Sequence, residues 1–307
     1  MEPKKKVILL AGPTSSGKSK LAIKLAKKFN GEIINADSMQ IYKEISILTS
    51  KPASRDIKTV KHHLYGFRSV KEIFSTGVWL DMALKKIEKN FKEKKLPFVV
   101  GGTGLYFKAL IDGLAKIPNI PKETRIEVRK LHEELDQKEF YNKLIQLDPQ
   151  AKKFILPTDS QRSMRAYEVK KHTNKSLLDY AKETKSNLNN CSFIKIFIDT
   201  PKEMLSQNIE KRVEEMFNAG VIEEVKNFLK IKVDENLPSN KIIGIKEISN
   251  YLSKKITKDK TKELIKLKTR QYAKRQFTWA RGQMKSWNMI YSSDFEDLFN
   301  KAAKKIS

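Results

Sequence analysis

The chain has 307 residues, of which 39% are hydrophobic and 9% aromatic, and it carries a formal charge of +26. This composition excludes an intrinsically disordered chain, and no apolar run reaches the length that a membrane-spanning helix needs. The charge points to a polyanionic partner, although 52 of the 62 basic residues are Lys, and a lysine excess also decorates ordinary solvated faces. The placement of the ten Arg residues says more. Five lie in two short windows, Arg162 and Arg165, then Arg270, Arg275 and Arg281. Arginine is the better side chain for planar phosphate and base contacts.

Taken in order, Met1–Lys6 is basic, and Val7–Ala11 is too short for the apolar core of a signal peptide, so a cytoplasmic protein is expected. A single cysteine, Cys191, allows neither an internal disulfide nor a Cys-based zinc site. Lys6–Ala11 reads as a buried strand, Gly12–Ser19 as a loop, and the next segment as a helix with Leu21, Leu25 and Phe29 on one stripe. Glu32–Asn35 is a second strand. Gly77–Lys94 has helical spacing at Leu80, Leu84, Ile87 and Phe91. Leu96–Val100 is a further strand, closed by Gly101 and Gly102, with a helix opening at Leu105. Alternating strands and helices predict a parallel α/β sheet. After Gly113 the pattern changes. Pro118 and Pro121 mark a linker, and only helical periodicity follows until a strand at Phe193–Asp199. The expected organisation is an α/β core from 1–115 and 191–307, interrupted by a helical insertion at 116–190. A mostly helical C-terminal region includes a long basic helix near 260–285.

The strongest local signal is Gly12-Pro13-Thr14-Ser15-Ser16-Gly17-Lys18-Ser19, which fits G-x-x-x-x-G-K-[ST] between a predicted strand and a predicted helix. Glycines let the backbone wrap a diphosphate with its amides turned inward, and the helix N-terminus adds positive potential. Lys18 supplies a cation to the phosphate oxygens, and the Ser19 hydroxyl is suited to ligate Mg²⁺. The motif specifies a diphosphate group. ATP is its default ligand, and other residues must decide.

Those other residues follow in series: Asn35-Ala-Asp37-Ser38-Met39-Gln40-Ile-Tyr42, Lys51-Pro52, His62-His63-Leu64, Gly101-Gly-Thr103-Gly-Leu-Tyr106, Ser160-Gln161-Arg162-Ser163-Met164-Arg165, Lys211-Arg212, Gly220-Val-Ile-Glu-Glu224, Ile243-Gly244-Ile-Lys246-Glu247 and Thr269-Arg270-Gln-Tyr-Ala-Lys274-Arg275-Gln276-Phe-Thr-Trp279. In this order, from about residue 5 to residue 285, the set resembles the tRNA dimethylallyltransferase family. It departs from the family pattern at Leu48, where a glycine is usual, at Tyr65-Gly66, where Ile-Asp is usual, and around Ser75–Val78.

The resemblance implies a P-loop NTPase-like core. It implies transfer of a dimethylallyl group from its diphosphate to an adenine amine beside the anticodon of tRNA; Mg²⁺ is the expected cofactor, and a monomer is expected. It makes Asp37 the general base, Thr103 a hydrogen-bond partner of the donor's bridging oxygen and Arg212 a second cation on the diphosphate. It places Asp37, Ser38, Met39, Gln40 and Thr103 at the acceptor base, Gln40 through its amide. It sets Gln161–Arg165 against the anticodon stem-loop, with Arg125 as a further candidate and Arg270, Lys274 and Arg275 tracking phosphates. An RNA base must leave its stack to reach a buried donor, so a channel open at both ends is expected. His62 and His63 read as structural, since no matching metal-ligand set accompanies them. Three alternatives share the phosphate loop: a nucleotide-dependent small-molecule kinase, an adenylate isopentenyltransferase acting on free AMP, and a non-catalytic RNA-binding protein.

Overall fold

A computed structural model describes residues 5–307; Met1–Lys4, most of the basic start, lie outside the described residues. The chain opens with β1 (Lys5–Ala11), α1 (Lys18–Lys28), β2 (Gly31–Asn35), α2 (Ser54–Thr59), β3 (His62–His63), α3 (Thr76–Lys92), β4 (Leu96–Gly101) and α4 (Gly104–Asp112). Helices α5 (Lys122–Glu134), α6 (Gln137–Leu147), α7 (Ser160–Thr173) and α8 (Leu177–Lys182) come next. The chain then returns through β5 (Cys191–Asp199), α9 (Lys202–Asn218), α10 (Val221–Lys230), α11 (Ile245–Leu252), α12 (Lys258–Gln283), β6 (Asn288–Tyr291) and α13 (Phe295–Ile306). It divides into two compact units, 1–109 with 188–307, and 110–187.

The first unit is built on one six-stranded sheet in the order β3-β2-β4-β1-β5-β6, with every pairing parallel. This is a P-loop NTPase-like α/β core. Parallel strands need both faces covered, which is why β1 and β4 read as continuous apolar runs. Ile8, Leu10, Leu21, Leu25, Phe98 and Ile196 are buried together, and α13 closes one side of the sheet with Leu298, Ala302 and Ile306. Because all strands point the same way, the loops after β1, β2 and β4 emerge at one edge, where open α/β sheets hold ligands. A second apolar cluster joins α9, α10 and α11 to the loop at 41–48 through Ile45, Leu48, Val213, Val225 and Ile245.

The second unit is helical throughout its described elements. Phe140, Leu144, Ala151, Ile155 and Ala166 are fully or almost fully buried in it. Asp136 caps α6 by accepting from Glu139 N, and Asp159 caps α7 by accepting from Arg162 N.

Local expectations and structure differ in two places. The two-residue β3 and the four-residue β6 are strands that residue patterns left unassigned, because each buries a single residue. The helical unit begins and ends a few residues ahead of the 116–190 insertion.

Candidate active site

The loop between β1 and α1 turns through Gly17, whose φ of +80° lies in the left-handed region that favours glycine. Side chains from two later helices brace it. Asn208 of α9 donates to Ser15 O at 3.1 Å, and Arg212, one turn further along α9, donates Nη1 to Thr14 Oγ1 at 2.6 Å. Gln276 of α12 accepts from Thr14 N at 2.8 Å and donates to Gly102 O at 3.0 Å, so it ties the β1 loop to the β4 loop. Among the described residues, the hydroxyls of Ser15 and Ser16 and Nε of Arg212 are buried without hydrogen-bond partners. A polar ligand in this loop would give these atoms partners.

Asp37 stands just past β2, held by its own local network. Fully buried Asn35 accepts from Asp37 N at 2.8 Å and donates to both Asp37 O and Leu64 O at 2.9 Å. Asp37 Oδ1 accepts from Met39 N at 2.9 Å. Thr103, from the β4 loop, accepts from Ser38 N at 3.0 Å. The two loops touch so closely that a Cβ on Gly101 would lie 2.0 Å from Ala36 O, which only glycine permits. Beneath them Trp79 stacks on Tyr106 at 4.2 Å and donates Nε1 to Asn35 O at 2.7 Å.

The electrostatics centre on Asp37. Burial pushes the Lys18 ammonium down to about 8, with Arg212 adding to the shift and Asp37 opposing it. Burial also lowers Arg212, again against Asp37. The phenols of Tyr65, Tyr106 and Tyr272 are all pushed upward, by burial first and by the Asp37 carboxylate second. Two half-buried cations and a carboxylate therefore share one pocket, an arrangement typical of sites where charge develops.

Two cavities flank this centre. One, of about 680 Å³, is lined by Thr14–Lys20, Asp37, Gln40, Leu48 and Arg212. The other, of about 270 Å³ and largely apolar, is lined by Gly12, Ser38, Thr103, Leu105, Phe197 and Trp279. Tyr272 and Arg275 line both.

The family model for IPP transferase matches residues 40–283. The chain belongs to the IPP transferase family. It is 53% identical over 304 residues to the tRNA dimethylallyltransferase of Pelagibacter ubique (strain HTCC1062), covering 99% of this chain and 97% of that one. Among solved structures, the full-length tRNA isopentenylpyrophosphate transferase of Bacillus halodurans superposes with a TM-score of 0.71 at 30% identity, over 99% of this chain and 96% of that one. A eukaryotic dimethylallyltransferase, captured crystallographically acting on tRNA, superposes with a TM-score of 0.84 at 29% identity, over 98% of this chain and 77% of that one.

In this IPP transferase the remaining sequence candidates fall as follows. Both amide protons of Gln40 are engaged, on Thr49 O at 2.8 Å and Ser50 O at 3.0 Å, which leaves its Oε1. Gln161 and Arg162 are exposed on α7, with Arg162 3.5 Å from Asp159, and Arg165 donates to Glu168 at 3.1 Å. Met164 is half-buried, whereas Ser163 is fully buried, its hydroxyl spent on Asp159 O. Arg125 reaches Asn119 Oδ1 at 3.4 Å. Arg270, Lys274 and Arg275 lie exposed along α12, Arg270 3.8 Å from Glu210 and Arg275 over the Tyr272 ring. His63 is buried against Glu32, Nε2 to Oε2 at 2.6 Å, and His62 Nδ1 meets Val60 O at 2.7 Å.

Sequence reasoning missed Asn35, Asn208 and Tyr272 as members of the site. The i, i+4 spacing of Asn208 and Arg212 was a usable signal, since it puts both on one helical face. Among the described residues no group of three or more His, Cys, Asp or Glu is placed to hold a metal ion. Ser19, exposed at the loop mouth and lining the same cavity as Asp37, offers a hydroxyl oxygen of the kind that a divalent cation accepts.

Proposed function

We propose that the chain transfers a dimethylallyl group from dimethylallyl diphosphate to the exocyclic amine of the adenine 3′-adjacent to the anticodon of tRNA. The observation that carries this reading is the meeting of Lys18, Arg212 and Asp37 in one cavity beside Thr103, within a chain of this family. The amine nitrogen attacks the allylic carbon. The carbon–oxygen bond to the diphosphate breaks, and pyrophosphate leaves with the bonding electrons. Lys18, the amides where the loop enters α1 and Arg212 hold the leaving oxygens, where negative charge grows. Mg²⁺, when bound through Ser19 and the diphosphate, supplies a further positive centre there. Asp37 accepts the proton that the amine gives up, and Thr103 steadies the bridging oxygen. Gln40, with its nitrogen already spent, offers the base its Oε1.

The tRNA side is assigned to exposed basic and polar groups: Arg270, Lys274 and Arg275 for phosphates, and Gln161, Arg162, Arg165 and Arg125 of the helical unit for the anticodon stem. Phosphate contacts of this kind position the RNA without reading its sequence. Among the described residues no helix is long and apolar enough to cross a membrane. The reading places the reaction in the cytoplasm and gives it to a monomer.

The test is incubation of purified protein with Mg²⁺, radiolabelled dimethylallyl diphosphate and unmodified tRNA, with free AMP and ATP in parallel. Label in tRNA adenine without ATP hydrolysis is expected. Label in AMP alone would make this a small-molecule transferase, and ATP consumption without transfer would overturn the reading.

A further inference from the structure

Three consecutive backbone amides converge on one distant carboxylate. Ser46 N and Ile47 N donate to Glu224 Oε1 at 2.5 and 2.7 Å, and Leu48 N donates to Glu224 Oε2 at 3.0 Å. A concave run of amides of this kind binds an anion, and here the anion is a side chain from the first turn of α10. The acid also suits that helix N-terminus. The next group along the loop is the Leu48 carbonyl, which accepts from Arg212 Nη2 at 3.2 Å. Arg212 therefore has two anchors. Thr14 fixes Nη1, and Leu48 O fixes Nη2, while the buried Nε has no partner among the described residues.

We infer that Glu224 is a positioning residue for the transfer reaction, fixing the Leu48 carbonyl that aims the Arg212 guanidinium at the donor's diphosphate. The inference rests on the proposed function above. Glu224 does not line the donor cavity, whereas Leu48, Thr49, Ser50 and Arg212 do. Its effect must pass through the loop. The loop is independently held on its apolar side, since Ile45 and Leu48 are buried against Val225 and Ile245. Gln40 and Lys51 pin its ends by donating to Thr49 O and Ser50 O, and to Tyr42 O and Lys43 O. Loss of the Glu224 charge should shift the 46–48 turn without unfolding the unit.

Glu224→Gln is nearly isosteric, yet its NH₂ faces at least one backbone N–H, donor against donor. The expected result is a rise in KM for dimethylallyl diphosphate of about tenfold, the scale of one lost charge-assisted contact, with KM for tRNA unchanged within about twofold. In an Arg212→Met background the same substitution should change the donor KM by less than about twofold, because coupled residues are non-additive. Glu224→Asp, one methylene too short to reach all three amides, repeats the cycle should the Gln variant fold poorly. Equal effects in both backgrounds, or no effect on donor KM in the wild-type background, would overturn the inference. Absence of transfer by the wild-type protein would instead overturn the function on which it rests.

Discussion

Lys18→Met should make the protein more stable while destroying its activity. Lys18 is pushed from the ordinary lysine value near 10.5 down to about 8, chiefly by burial. At 1.36 kcal/mol per tenfold change in proton affinity, a displacement of that size corresponds to roughly 3 kcal/mol of penalty for holding the ammonium charged in the fold. Part of Lys18 still reaches solvent, and its Nζ donates to Pro13 O at 3.1 Å, so about 1–2 kcal/mol should remain to be recovered by methionine. For a unit of this size that is a rise of roughly 2–8 °C in Tm. The sign has a pH signature. Below pH 8 the ammonium is charged in both folded and unfolded chains, and the penalty is complete. As pH rises from about 8 towards 10.5, the folded protein sheds the proton while the unfolded chain keeps it, so wild-type stability gains on the variant until the gap closes. Tryptophan fluorescence during urea unfolding reads this directly, because Trp79, Trp279 and Trp287 all lie in the α/β unit. Transfer by the variant should fall by about 10²-fold or more, as expected for removal of a preorganised cation at a developing charge. A variant no more stable than wild type at pH 7, or a stability gap that stays flat up to pH 10, would refute the idea that the buried charge strains this loop.

The same value governs donor capture: kcat/KM for dimethylallyl diphosphate should decline above about pH 8 as free Lys18 loses its proton, and a flat profile to pH 9.5 would remove Lys18 from donor recognition. Asp37→Asn should lower turnover by about 10²-fold or more while the dissociation constant for tRNA, measured by filter binding, stays within about twofold. Comparable losses in both would make Asp37 an RNA-binding residue. For Glu32, burial pushes the carboxyl up, but the hydrogen bond from His63 and the charge of Lys61 outweigh it and hold the group below the usual glutamate range. That stability is present above the ordinary glutamate pKa and is lost as pH falls through the lower folded value. Glu32→Gln should therefore be less stable than wild type at neutral pH, with the difference narrowing in acid denaturation experiments below about pH 4.

Most of the α/β core could be read from residues because its code is local. A strand ending before Gly12, a lysine at the mouth of a helix and a glycine pair after Val100 each announce themselves within ten residues. Asp37 and Thr103 were legible as members of motifs, and the structure brings their loops into contact through Ser38 N. What was not legible is the bracing. The partners of the β1 loop are 193, 198 and 262 residues away, and Glu224 is 176–178 residues from the amides it holds. No local pattern encodes such pairings. Asn208 looks in the sequence like an ordinary polar residue on an amphipathic helix, and Gln276 and Glu224, although they sit in the quoted motifs, carry nothing local that names the partners they bond. Gln40 shows the converse. Its amide suits an adenine edge, yet its donors meet two carbonyls of its own loop, a local alternative that amides readily take.

The bracing also explains why α12 belongs in the same unit as the phosphate loop. Consecutive residues of this helix face two tasks. Arg275 is exposed and lines both cavities, while Gln276 is buried and bonded to Thr14 N and Gly102 O. Successive residues on a helix lie about 100° apart around its axis, so one turn can carry an outward cation and an inward amide without strain. The helix is itself fixed against α9, where Lys262 and Lys266 both pair with Glu214, and α9 carries Asn208 and Arg212. The β1 loop, Arg212 and the basic outer face are thus referenced to one pair of packed helices rather than to separate loops. A reaction whose two substrates are so different in size needs this. On the proposed function, the diphosphate must be held firmly against its cations while the acceptor base arrives at the end of a large polyanion, for which Arg275 is the assigned contact. Mounting both contacts on neighbouring residues of one helix would keep a pull on Arg275 from being absorbed as misalignment at the bond that breaks.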